Sequence, residues 1–159
     1  ILARELGASN VVLGLMVSLN LAIFTLGNTL TTAAVGLLGA RRLVACCFAL
    51  LAAGIVGAAL ATSLPVLLLA VLGIGISQGV CYPVLMGMTI ERVAEEERAT
   101  AMGLHQAVYA VGMFAGPSVS GLVAGGIGLR PMFALTAAVS LLIGLPLARA
   151  MPPGDAARA

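Results

Sequence analysis

Seven side chains in otherwise apolar stretches could contact a solute: Asn20, Asn28, Gln78, Tyr82, His105, Gln106 and Tyr109. Amides, phenols and an imidazole can donate and accept hydrogen bonds without carrying a fixed charge, which suits contact with small organic molecules. His105 is the single histidine of the chain. An imidazole has an unperturbed pKa of about 6.5, so His105 is the one group in these stretches suited to exchanging a proton near neutral pH. No Asp or Glu accompanies it, because residues 6–40, 43–90, 99–129 and 131–148 contain no Asp, Glu, Lys or Arg. A hydrolytic site would need a nucleophile with its base, or paired acids, and there is no Gly-x-Ser-x-Gly turn. Enzyme activity is therefore not expected. Cys46, Cys47 and Cys81 lack metal-ligand spacing and are expected to be buried structural thiols, so no metal or cofactor is expected.

These residues need elements to hold them, and the charge-free blocks define those elements. A helix rises about 1.5 Å per residue and the hydrocarbon core is about 30 Å thick, so each block is long enough to cross a bilayer. The block 43–90 is long enough for two crossings. Thr62-Ser63-Leu64-Pro65 divides it, with Ser63 expected to cap and Pro65 to open the next helix. With 61% hydrophobic and 9% charged residues, the chain cannot cover itself with a polar surface. Its apolar runs are continuous rather than alternating, which excludes a transmembrane barrel. The fold class is thus all-α: a polytopic bundle over residues 1–150 with spans at about 11–38, 43–61, 65–92, 97–124 and 131–147. A polar tail, 151–159, follows. Eight scattered arginines and no lysine exclude a nucleic-acid surface.

Five spans put the two ends on opposite sides. Arg41, Arg42, Arg92, Arg98, Arg149 and Arg158 fall on one side, against Arg4 and Arg130 on the other. The positive-inside rule places the six-arginine side, with the tail 149–159, in the cytoplasm. The chain begins at Ile1 rather than Met, and its first span is longer than a signal-peptide core, so further sequence is expected upstream.

Polarity is unequal among the spans. The first carries two Asn among several Ser and Thr; the third places Gln78, Tyr82 and Thr89 within about 40° of one another at 100° per residue. On the fourth, Met102, His105, Gln106, Tyr109, Gly112, Met113, Gly116 and Ser120 share about 120° of the helix surface. The second and fifth are nearly devoid of polar groups. Polar side chains in a membrane face a bundle interior or a cavity, so spans one, three and four are expected to surround a cavity and spans two and five to support it. For any single Asn or Thr the competing reading is an ordinary interhelical hydrogen bond. Pro83 is expected to bend the third span, and Gly112, Gly116 and Pro117 are expected to serve packing or bending in the fourth.

This order of polar and apolar spans resembles half of a major facilitator superfamily transporter from which the first of six helices is absent. Leu6-Gly7-Ala8-Ser9 resembles the start of a half's second helix, and Glu97-Arg98-Ala99-Thr100-Ala101-Met102-Gly103 the cytoplasmic start of its fifth. Gly112-Met113-Phe114-Ala115-Gly116-Pro117 with Gly121 is similar to the family's glycine and proline pattern in that helix. Of the family's cytoplasmic loop motif only Gly39 and the Arg41-Arg42 pair survive, with Gly36 and Leu37 where Asp and Arg belong. Erosion of that motif implies the C-terminal half; the glycine and proline pattern, which in antiporters belongs to the N-terminal half, implies the other. The resemblance implies alternating-access transport of a small organic solute, driven by an ion gradient, with efflux of drugs or metabolites favoured. Its implied partners are the solute, the lipid bilayer and the missing half, in a cell inner (plasma) membrane. The alternative is a structural or channel-type membrane subunit without a transport cycle.

Overall fold

A computed structural model describes residues 1–151; the expected polar tail falls almost wholly outside the described residues. After a short α1 (Leu2–Glu5) come four long helices: α2 (Asn10–Leu38), α3 (Ala40–Leu60), α4 (Leu64–Ile90) and α5 (Arg98–Ile127). The last crossing is composite, with α6 (Leu129–Val139), a π-helical turn over Ser140–Gly144, and α7 (Leu145–Ala150). Among the described residues there is no strand, and five helical stretches are long and apolar enough to cross a membrane.

The connections explain themselves locally. Gly39 (φ 75°) alone separates α2 from α3, and Gly128 (φ 90°) alone separates α5 from α6. One-residue hinges with positive φ are open to glycine because it has no Cβ. Ser9 caps α2, accepting from the Val12 amide at 3.3 Å. Ser63 holds the equivalent place before α4 but makes no side-chain cap, so the expected capping bond is absent there and Pro65 in the first turn sets the start. The wide turn in the last crossing was not foreseen. Pro146 follows it; a proline lacks an N–H and crowds the carbonyl four residues back, and a π-turn relieves that conflict.

Two apolar clusters identify the two ends of the bundle. Leu2, Met16, Ala58, Ala61 and Leu67 pack with Leu129 at one end; Ala40, Leu43, Val84 and Ala148 pack at the other. Arg130 lies at the first end, its guanidinium donating to the Ala61 carbonyl at 3.2 Å, a cation set on the C-terminus of α3.

The core is the layer α2–α4–α3, and small residues allow it. A methyl on Gly79 would run into the backbone carbonyl of Phe24, and one on Gly75 would lie 2.6 Å from Nδ2 of Asn20. α2 and α4 therefore meet backbone to backbone, as membrane helices do where side chains are small. On the other side of α4, buried Ser77 donates to the Cys47 carbonyl of α3 at 2.7 Å. α5 is different: none of its residues is buried.

Candidate functional site

Between the packed layer and α5 lies a cavity of about 580 Å³. Gln78, Tyr82 and Thr89 reach it from α4, one to two turns apart on one face; His105 and Tyr109 reach it from α5 at i and i+4. Phe24 of α2 closes one wall, and Cys47, Phe48 and Leu51 of α3 another. The contribution of α3 corrects the expectation that this span only supports from outside. Its side chains are apolar, so polarity could not reveal them, but the cavity is as much apolar wall as polar face. The last crossing lines no part of it.

Two polar links join α4 to α5 across this space. Gln106 Nε2 donates to Tyr82 Oη at 2.8 Å, and Thr89 Oγ1 stands 2.9 Å from His105 Nδ1. The Tyr82 and Tyr109 rings are tilted by 51° with centroids 5.0 Å apart, and Tyr82 and His105 are 6.3 Å apart. The first is a favourable aromatic geometry. Because α5 buries nothing, these side chains carry much of its attachment to α4.

The expected site residues thus separate into three groups. Gln78, Tyr82, His105 and Tyr109 line the cavity together, and Gln106 supports Tyr82 from its edge. Asn28 lies in a second space of about 370 Å³ between α2 and α4, with Thr31, Thr32, Gly87 and Glu91 and with Pro83 in its wall. Asn20 is in neither: its Nδ2 donates to the Val71 carbonyl at 2.8 Å, against Gly75. That is the interhelical bond weighed above, and burial on Gly75 is its physical reason. Gly112 and Gly116 meet no other segment among the described residues within 4 Å of where a Cβ would stand. Gly39 is the hinge before α3, and Arg41 and Arg42 are exposed beside it. Of the three cysteines, Cys47 is buried and Cys81 partly so, whereas Cys46 is exposed on the helix surface, contrary to the expectation of burial. Cys46 and Cys47 are neighbours 100° apart on a helix, so one facing α4 turns the other outward.

Phe24, Phe48 and Leu51 were missed by reasoning from polar residues. A signal for Phe24 existed: it stands midway between Asn20 and Asn28 at i+4 from each neighbour, on the same helical face. Nothing comparable marks Phe48.

The Major Facilitator Superfamily family model matches residues 1–158. The inward-open xylose transporter XylE from E. coli shares the fold, with TM-score 0.67 and 21% identity over 90% of this chain. The chain spans 38% of the length of that transporter. No match is found among curated protein sequences. Five membrane-length helices in this arrangement, together with a family match along nearly the whole sequence, establish that the chain belongs to the Major Facilitator Superfamily.

Proposed function

We propose that this chain forms part of an alternating-access transporter for a small organic solute, and that the cavity between α4 and α5 is its share of the solute site. The observation that carries this is the convergence of Gln78, Tyr82, His105 and Tyr109 on one mostly apolar space of about 580 Å³, within the size range of small-molecule sites. Solute sites in such transporters form where two halves meet, so residues of a second half would complete it. We place this chain in the C-terminal half, in a cell inner membrane, with the Gly39 hinge, Arg41, Arg42 and the tail 149–159 cytoplasmic by the positive-inside rule. Efflux of a drug-like or metabolic solute driven by an ion gradient is the favoured direction and coupling. With no carboxylate among the described residues on the cavity wall, His105 is this chain's own candidate for handling a coupling proton, and any essential acid would lie in the other half.

The test is solute flux in proteoliposomes. Combining Gln78→Ala, His105→Ala and Tyr109→Phe should abolish gradient-driven flux while leaving the protein monodisperse and folded. Undiminished flux in the triple variant would remove the site from this cavity, and flux that required ATP would remove the coupling.

A further inference from the structure

Proton counting at Thr89 fixes the chemistry that the cavity presents. The Thr89 hydroxyl has one proton and two close neighbours: the Leu85 carbonyl at 2.8 Å and His105 Nδ1 at 2.9 Å. A carbonyl can only accept. If Thr89 gave its proton to His105, two oxygens would face each other at 2.8 Å with no hydrogen between them. If it gives the proton to Leu85, and Nδ1–H of His105 donates to Thr89 Oγ1, both contacts hold one proton each. Three other threonines of the bundle follow the second pattern: Thr25, Thr31 and Thr136 each donate to the carbonyl four residues back at 2.9 Å.

We infer that His105 is held as its Nδ1–H tautomer, with the Nε2 lone pair as a hydrogen-bond acceptor of the cavity, and that the site selects an uncharged aromatic solute bearing an N–H or O–H donor to meet it. Nε2 has no hydrogen-bond partner among the described residues, and His105 lines the cavity. Some polar groups there are already committed: Ser77 donates to Cys47, Thr89 is satisfied twice, and Tyr82 accepts from Gln106, whereas Gln78, the Tyr109 hydroxyl and the Tyr82 hydroxyl proton stay open beside Nε2. These few open groups stand on a wall that is mostly apolar, which disfavours a polyhydroxylated molecule whose many hydroxyls could not all be paired. No Asp or Glu among the described residues lines the cavity, so an organic cation finds no counter-charge from them. Phe24, Phe48, Tyr82 and Tyr109 supply ring faces and edges suited to a flat aromatic body. The inference about solute class rests on the reading of this cavity as the solute site; the tautomer does not.

Two measurements test it on the protein in lipid nanodiscs. With ¹⁵N-labelled histidine and His105→Asn to assign the signals, Nδ1 should show a protonated-type shift and Nε2 a lone-pair-type shift; the reverse would overturn the tautomer whatever the protein transports. Binding is then compared for indole, 1-methylindole, xylose and tetraphenylphosphonium, with empty discs subtracted. Indole should bind about 2- to 10-fold more tightly than 1-methylindole, the worth of one hydrogen bond, and more tightly than the sugar or the cation. His105→Asn replaces Nδ1 but not Nε2, so it should bring the indole ratio to about 1 without weakening 1-methylindole. His105→Gln, whose amide oxygen reaches the Nε2 position, should restore part of it. An indole ratio unchanged in His105→Asn, or tighter binding of xylose or the phosphonium ion, would overturn the solute class. Binding as expected without any flux would instead count against the transport reading and leave this inference standing.

Discussion

The closest approach in the bundle offers a test with an internal control. Gly79 and Gly87 lie two turns apart on α4, so replacing either by Ala changes intrinsic helix propensity by the same amount, and that contribution cancels in the comparison. Their surroundings do not cancel. At Gly87 no atom lies within 4 Å of the added methyl, whereas at Gly79 the methyl meets O, C and Cα of Phe24. Those are backbone atoms of a neighbouring helix, which cannot swing aside as a side-chain end can. α2 and α4 must separate, and overpacking of this kind costs about 1–3 kcal/mol. For a chain of this size that corresponds to a melting temperature lower by roughly 2 to 12 °C in Gly79→Ala than in Gly87→Ala. Thermal unfolding in one detergent, followed by circular dichroism and by dispersity, reads the difference directly. Separation of α2 from α4 also carries Gln78 and Tyr82 away from Phe24, so solute binding should weaken in Gly79→Ala and not in Gly87→Ala. Equal stability of the two variants would refute the backbone-to-backbone contact, and with it the account of how α2 walls the cavity.

Two further predictions concern the polar groups. A double-mutant cycle on Tyr82→Phe and Gln106→Ala should give a coupling of about 0.6 kcal/mol, with about 1.7 kcal/mol as the upper end for such bonds in membranes; additive effects on unfolding would show that the 2.8 Å link is not formed. Asn20→Ala removes the bond to the Val71 carbonyl and should lower stability by about 1 kcal/mol while solute affinity, measured on the folded fraction, stays unchanged; lost affinity at full stability would return Asn20 to the site.

Polarity in an apolar sequence showed where side chains must be satisfied, but not by what. Asn20, Asn28, Gln78 and His105 are equally conspicuous as residues that lipid would not accept, yet they have three different fates: an interhelical bond beside Gly75, a small second space, and the main cavity. What separates Asn20 from Gln78 is the neighbour opposite each, and that depends on how closely two helices approach. The approach is set by Gly27, Gly75 and Gly79; a close-packing role for Gly75 and Gly79 can be read from the sequence, but which helix they meet becomes legible only once α2 is known to lie against α4. The span count and the turn at residues 62–65 are visible because they depend on length, charge and local dihedral preference, whereas the π-turn before Pro146 depends on a clash between the proline ring and a carbonyl one turn back, which hydropathy does not record.

The same distinction between satisfied and unsatisfied polar groups governs what the cavity can do. Counting side chains, its wall offers hydroxyls, a phenol pair, an amide and an imidazole, a set that would suit a sugar as well as a drug. Counting protons, Ser77 is spent on holding α3, Thr89 on holding its own helix and His105, and Tyr82 accepts the amide that tethers α5. Ser77 and Thr89 are thereby withdrawn from recognition, and in the proposed site specificity falls to Gln78, the phenols and Nε2 of His105. Because α5 buries no residue of its own, the hydrogen bonds that tether it and the recognition atoms belong to the same small set of side chains. A solute that engages Nε2 of His105 therefore acts on a residue whose other nitrogen holds α4 to α5, which gives solute binding a direct mechanical route to the attachment of that helix.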